Sequence, residues 1–272
     1  MHEHLRHKKL FLLDMDGTIY LGDRLFPCAL PFLGQVERMG AQYMFLTNNS
    51  SKSAALYLEK LARMHIPVPP GHLLTSTHAT AAHLHKAYGN QPIYASGTQA
   101  FVRELSDLGI HVTDDIEAPI AALVMGFDTE LDFHKLDTMC LLLGKGLDYI
   151  ATNPDLVCPT EYGYVPDCGS VAQMLKNATG REPLFIGKPM TAMVDMALAQ
   201  AGASKGETLM IGDRLYTDIA CGVNAGIETA LVLSGESKEG DIKSSAHKPD
   251  HVFTDLDQLL AILEGNDGSK NL

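Results

Sequence analysis

Four short apolar runs, each stopping at polar groups, constrain this chain more than any other feature. Leu10-Phe11-Leu12-Leu13 stops at Asp14, Tyr43-Met44-Phe45-Leu46 at Thr47-Asn48-Asn49, Leu184-Phe185-Ile186-Gly187 at Lys188, and Leu209-Met210-Ile211-Gly212 at Asp213. Runs of this kind read as parallel strands buried on both faces. Open α/β sheets bind ligands in the crevice beyond the carboxyl ends of such strands. Aligned side by side, the four ends would share one crevice holding carboxylates, a Thr, an Asn and a Lys.

The first of these ends is Asp14-Met15-Asp16-Gly17-Thr18. Asp14 and Asp16 are two apart, so an extended backbone aims both side chains to one side. Gly17 lets the chain turn sharply and bring N–H groups close to a ligand. The pentapeptide fits a compact metal-and-phosphate site; taken alone, it fits a strand end closed by an Asx-turn just as simply. Thr47-Asn48-Asn49 has the same two readings. A threonine hydroxyl and free helical N–H groups can cradle phosphate, and the same residues can form a capping loop with no ligand.

The rest of the chain alternates strand and helix patterns. Ile19 to Asp23 reads as a tight flap or hairpin. Ala29, Phe32, Leu33 and Val36 repeat at helical spacing up to Gly40. Ser50 or Ser51 is expected to cap the next helix, with Ala54, Leu58, Leu61 and Ala62 inward. Between about Thr80 and Glu182 lie three more strand patterns and helix faces at Phe101-Leu105-Leu108, at Phe133-Leu136-Cys140-Leu143 and at Val171-Leu175-Ala178. The core pattern then resumes, with Leu215, Ile219 and Val223 on one helix face. Thr254-x-x-Asp257 resembles a capping box before the last helix, and the tail from Gly265 is expected to fray.

Composition excludes several classes. The chain has 272 residues, 46% hydrophobic and 20% charged, which suits one large or two modest globular domains. No apolar run approaches the ~20 residues of a membrane helix. Met1-His2-Glu3-His4 does not open a signal peptide, so a cytoplasmic chain is expected. A formal charge of -12 argues against a nucleic-acid partner, and a phosphate would have to be held by local positive groups. Five cysteines form no CxxC and read as reduced thiols, with Cys158 and Cys168 in packing roles. The histidines are expected to hold no metal: His2, His4 and His7 in a disordered tail, and His78, His83 and His85 on a solvated helix face.

Taken together, Asp14-x-Asp16-Gly17-Thr18, Thr47-Asn48, Gly187-Lys188-Pro189 and Gly212-Asp213-Arg214-x-x-Thr217-Asp218 resemble the four motifs of the haloacid dehalogenase (HAD) superfamily. Thr47-Asn48-Asn49-Ser50, Ala151-Thr152-Asn153-Pro154-Asp155 and Gly187-Lys188-Pro189 point to its NagD-like, 4-nitrophenyl phosphatase branch. The resemblance implies a HAD-like Rossmannoid α/β core with a parallel sheet, residues 1–79 and 183–272, and an inserted α/β cap, residues 80–182. It also implies a Mg2+-dependent phosphatase. Asp14 would be the nucleophile, forming an aspartyl-phosphate, and Asp16 the general acid and base. Thr47 and Asn48 would bind the phosphoryl oxygens and Lys188 would neutralise them. Mg2+ would be held by Asp14, Asp213 and the backbone carbonyl of Asp16, with Asp218 in support. Arg214 could reach substrate or pair with a carboxylate.

The expected partner is a small phosphorylated metabolite, a nucleotide, sugar phosphate or similar, chosen by the cap around Asn153-Pro154-Asp155 and Tyr162-Gly163-Tyr164. The cap would close as a lid. Oligomeric state stays open. Competing readings are a phosphomutase of the same superfamily, a phospho-accepting regulatory domain, and a ligand-binding protein without turnover.

Overall fold

A computed structural model describes residues 2–66, 68–160 and 162–265, and the tail beyond Gly265 lies outside them. In chain order the elements are β1 (Leu10–Leu13), β2 (Tyr20–Leu21), β3 (Arg24–Leu25), α1 (Ala29–Arg38), β4 (Gln42–Thr47), α2 (Ala54–Arg63), β5 (Leu73–Thr75), α3 (Ser76–Tyr88) and β6 (Ile93–Ser96). Next come α4 (Gln99–Asp107), β7 (Val112–Thr113), β8 (Ala122–Met125), α5 (Phe133–Gly144), β9 (Asp148–Ala151), β10 (Val157–Thr160), β11 (Gly163–Pro166), α6 (Cys168–Thr179) and β12 (Leu184–Phe185). The last are α7 (Ala192–Ala201), β13 (Thr208–Gly212), α8 (Ala220–Ala225), β14 (Glu228–Val232), α9 (Glu239–Ser244), β15 (His251–Phe253) and α10 (Leu256–Leu263). Among the described residues no helix is long and apolar enough to cross a membrane.

The chain divides into two compact units, Met1–Leu46 with Leu61–Leu74 and Pro189–Leu272, and Thr47–Lys60 with Thr75–Lys188. Residues 80–182 fall within the second unit, which takes in further residues on both sides.

The first unit is built on a six-stranded sheet in the order β15-β14-β13-β1-β4-β5. From β15 to β4 the neighbours run parallel, with Leu13 beside Ile211 on one side and Phe45 on the other. All four residues of β1 are fully buried, which is why its sequence is apolar without alternation. Ala29, Phe32, Leu33 and Val36 bury the inner stripe of α1, and Phe32 meets Phe11 edge-on with ring centroids 6.1 Å apart. Gly40 ends the helix at φ +71°, where a side chain would be strained.

The second unit carries a five-stranded sheet in the order β12-β9-β8-β6-β7, all parallel, and a separate antiparallel hairpin of β10 and β11. Met139, Leu142 and Leu143 of α5 and Val171 and Leu175 of α6 close a core over β8 and β9.

Several expectations are corrected. Leu184-Phe185 was expected in the sheet of β1, β4 and β13, yet it pairs with Ile150 and Ala151 of β9. Backbone bonds decide this: Ile186 N–H donates to Ala151 O at 3.1 Å and Gly187 N–H to Thr152 O at 2.8 Å. With two residues and Leu184 54% exposed, this is an edge strand, not a buried run. Neither Ser50 nor Ser51 caps α2. Glu104 Oε1 accepts from Ala54 N–H at 2.6 Å and Ser53 Oγ from Leu56 N–H at 3.3 Å. The buried face of α2 is Tyr57, Lys60 and Leu61, while Leu58 and Ala62 are exposed. Phe133 and Val223, expected inward, are also exposed. Asp255, not Thr254, caps α10, accepting from the N–H groups of Asp257 and Gln258.

The amino-terminal histidines are not in a disordered tail. Residues Glu3–His7 form a 3-10 turn because Leu5 is wholly buried and Arg6 Nε donates to Ile262 O at 2.7 Å. His78 is not solvated either. It sits in the first turn of α3, its N–H donating to Thr75 Oγ1 at 3.4 Å, and burial lowers its pKa.

Candidate active site

In the first unit, β1 and β13 deliver Asp14 and Asp213 to the same end of the sheet, where Asp14 N–H donates to Ile211 O at 2.9 Å. A third carboxylate arrives from Asp218 on a π-turn, Leu215–Ile219, marked by the bond from Ile219 N–H to Arg214 O at 3.1 Å. One oxygen from each of Asp14, Asp213 and Asp218 lies within 4.8 Å of the others, and Asp213 and Asp218 are almost completely buried. The i→i+5 turn makes this approach possible, since it carries Asp218 back until its Oδ2 accepts from Arg214 N–H at 3.1 Å. A side chain on Gly212 would overlap the Asp218 carboxylate.

Asp213 is closely held. Its Oδ2 accepts from Glu236 N–H at 2.7 Å, and its backbone carbonyl accepts from Ser237 N–H at 3.1 Å. A Cβ on Gly17 (φ +89°) would stand 2.5 Å from Oδ2, and one on Gly235 would overlap it. Oδ1 is buried and has no hydrogen-bond partner among the described residues. Burial, and then the charge of Asp218, push the Asp213 carboxyl well above the usual carboxylate range. An all-oxygen donor set with an unsatisfied buried oxygen and excess negative charge fits a hard divalent cation such as Mg2+.

Asp16 opens the turn that leads into β2, in which Gly17 N–H donates to Tyr20 O at 2.7 Å, ahead of the hairpin of β2 and β3. Its carboxylate is not part of the three-carboxylate group. Of the two readings left open for Arg214, the structure shows the ion pair, Nε standing 2.9 Å from Glu236 Oε2.

In the second unit Thr47 and Asn48 sit at the end of β4, both buried. Thr47 Oγ1 accepts from Asn49 N–H at 3.2 Å. The Asn48 amide accepts from Lys188 N–H at 2.8 Å and donates to Lys188 O at 2.9 Å and to Asp155 Oδ2 at 3.1 Å. Ser76 Oγ and Asn153 Nδ2 both donate to Asn48 O, at 2.6 and 3.0 Å. Gly187 is required beside it, since a Cβ there would meet Asn48 Oδ1 and Thr152 O at 2.6 Å. Lys188 is 1% exposed. Asn153 and Asp155, expected around the substrate pocket, are buried members of this network.

Residues 11–111 match the model for haloacid dehalogenase-like hydrolases and residues 185–259 a HAD-hydrolase-like model. An acid sugar phosphatase of Staphylococcus epidermidis is 34% identical over 96% of this chain and all of its own length. This chain belongs to the NagD-like phosphatases of the haloacid dehalogenase superfamily. The crystal structure of a 4-nitrophenylphosphatase from Thermotoga maritima superposes with a TM-score of 0.88 at 41% identity, covering 94% of this chain and 97% of that one. A glycerol phosphate phosphatase from Mycobacterium tuberculosis, solved in complex with magnesium, gives 0.86 at 27% identity, covering 95% and 77%. The NagD-like core and cap account for the two α/β sheets.

Sequence reasoning missed Ser234-Gly235-Glu236. Ser234 Oγ donates to Gly17 O at 2.7 Å, and the Glu236 N–H reaches Asp213. The signal was present, because the run Ala230-Leu231-Val232-Leu233 also stops at a polar group and a glycine.

Proposed function

We propose that this NagD-like phosphatase hydrolyses a small phosphomonoester with Mg2+, passing the phosphoryl group through the Asp14 carboxylate. The observation that carries the reading is the convergence of Asp14, Asp213 and Asp218, with Asp213 Oδ1 buried and lacking a hydrogen-bond partner among the described residues. Asp14, Asp213 and the carbonyl of Asp16 would hold Mg2+, with Asp218 in support, and the ion would supply charge neutralisation where three carboxylates meet a phosphate dianion.

In the first step the Asp14 carboxylate attacks phosphorus, the ester P–O bond breaks, and Asp16 gives its proton to the leaving alkoxide. In the second, Asp16 takes a proton from water, the water oxygen attacks the aspartyl-phosphate, and phosphate leaves with Asp14 restored. Thr47 Oγ1 and backbone N–H groups after it bind the phosphoryl oxygens, and the Lys188 ammonium offsets their charge. Asn48 acts chiefly through its side-chain hold on the Lys188 peptide. Uncatalysed phosphomonoester hydrolysis is so slow that these groups together lower the barrier by roughly 20 kcal/mol or more.

The substrate is a metabolite of the size of a sugar phosphate or nucleotide, in keeping with the names of the sugar and glycerol phosphate phosphatases. Its choice falls to residues 80–182, acting as a cap. Exposed Tyr162 and Tyr164 are candidates to contact the leaving group. The setting is cytoplasmic.

The test is turnover on a panel of phosphometabolites with and without chelator, followed by borohydride trapping of the acyl phosphate and mass spectrometry. Many turnovers, chelator sensitivity and a label on Asp14 are expected. A label on another residue, one equivalent of phosphate bound without release, or full activity in chelator would overturn the proposal.

A further inference from the structure

A second polar cluster lies in the first unit, assembled from three separated parts of the chain. His4 comes from the amino-terminal 3-10 turn, Glu228 opens β14 and His251 opens β15. His4 Nε2 and His251 Nε2 stand 2.6 and 2.5 Å from one and the same oxygen, Glu228 Oε1. One ligating atom from each of the three residues lies within 4.8 Å of the other two.

The surroundings place these atoms instead of leaving them to a loose tail. Leu5, wholly buried, anchors the turn that carries His4. Lys8 Nζ takes the other carboxylate oxygen, Glu228 Oε2, at 2.6 Å and also donates to Gly206 O at 2.8 Å, so the carboxylate cannot rotate freely. His2 Nδ1 lies 3.1 Å from His251 Nδ1. A neutral imidazole carries one proton, and a partner on one ring nitrogen settles which of them stays free. His251 has two tautomers here: with Nε2–H it donates to Glu228, and with Nδ1–H given to His2 its Nε2 lone pair is free to ligate a metal ion. Two imidazole nitrogens converge on one anionic oxygen, an arrangement satisfied either by N–H groups of the rings or by a metal ion that takes their place.

We propose that His4, Glu228 and His251 form a binding site for a divalent transition-metal ion of the Zn2+ type, separate from the carboxylate site at Asp14. Two imidazoles and one carboxylate are a nitrogen-rich donor set that favours Zn2+ or its neighbours over Mg2+. Donors at about 2.0–2.2 Å from Zn2+ stand a little over 3 Å apart, so the cluster has to open by less than about 1 Å. His4 is half exposed, which leaves a coordination position for water and a route of entry. Bound there, the ion fastens the amino-terminal turn to β14 and β15.

The experiment is a calorimetric titration of chelator-stripped, tag-free full-length protein with Zn2+ alone, in millimolar Mg2+. One Zn2+ is expected to bind, to persist in Asp213→Asn, and to weaken at least tenfold in His251→Ala and in His4→Ala. Co2+ added to the unsubstituted protein gives a readout that needs no variant at the cluster, an absorption spectrum with imidazole nitrogen ligands that Asp213→Asn leaves in place. Zn2+ affinity unchanged by both histidine substitutions, loss of the Zn2+ in Asp213→Asn, or a Co2+ spectrum with oxygen ligands only would overturn the proposal. The histidines would then be hydrogen-bond partners of Glu228 alone.

Discussion

Asn48 clasps Lys188 on both sides of one residue, accepting from its N–H at 2.8 Å and donating to its carbonyl at 2.9 Å. The two residues are 140 positions apart, and Asp155 Oδ2 accepts from the same amide nitrogen. A short side chain therefore fixes where the lysine backbone lies before any substrate is present.

Asn48→Ala removes three hydrogen bonds and leaves the buried Asp155 carboxylate without that donor. A loss of about 100-fold or more in kcat is expected, from misplacement of a charge-stabilising group, and about 1–3 kcal/mol in stability. Steady-state kinetics on 4-nitrophenyl phosphate, with urea unfolding alongside, checks both. Unchanged kcat in a well-folded variant would mean Lys188 holds its place without Asn48.

Gly235→Ala tests the cradle around Asp213 without altering a left-handed residue, unlike Gly17, whose φ of +89° adds strain of its own. The new methyl overlaps the Asp213 carboxylate and must push it aside. The Mg2+ concentration for half-maximal activity should rise about tenfold or more while circular dichroism stays native. An unaltered Mg2+ requirement would remove Asp213 from the ion's ligands.

Leu5→Ala tests whether the amino-terminal turn is part of the core. Leu5 is fully buried, so truncation is expected to cost about 2–5 kcal/mol. A tail residue would cost nothing measurable. Calorimetric unfolding separates the two.

Glu228 supplies the pH dependence. Burial alone would raise its carboxyl, but hydrogen bonds from Lys8, His251 and His4 outweigh that and bring it down to about 2. A carboxyl lowered in the folded state adds stability that is complete above its unfolded value of about 4.3. That stability is lost as pH falls through the folded value. Between pH 5 and 2 the unsubstituted protein should lose roughly 1 kcal/mol more than Glu228→Gln, the full linkage being reduced because the group is partly exposed. Parallel acid-unfolding curves for the two proteins would contradict this.

Local pattern was enough for much of this protein. The strands β1, β4 and β13 and the places of Asp14, Thr47 and Asp213 at their ends were readable because strands buried on both faces must be apolar throughout. Gly40 marked a helix end because it adopts a left-handed backbone angle. Tertiary structure alone decided three further matters. Leu184-Phe185 is apolar like the others, yet backbone pairing with Ile150 and Ala151 assigns it to a different sheet, and two residues carry no pattern that names a partner. Asp218 joins the carboxylates through a π-turn, whose extra residue no helical periodicity predicts. The amino-terminal histidines look like a polar tail until Glu228 and His251, more than 200 positions away, meet them. A sequence shows which groups a chain segment can offer, and contacts across such distances show which of them are taken.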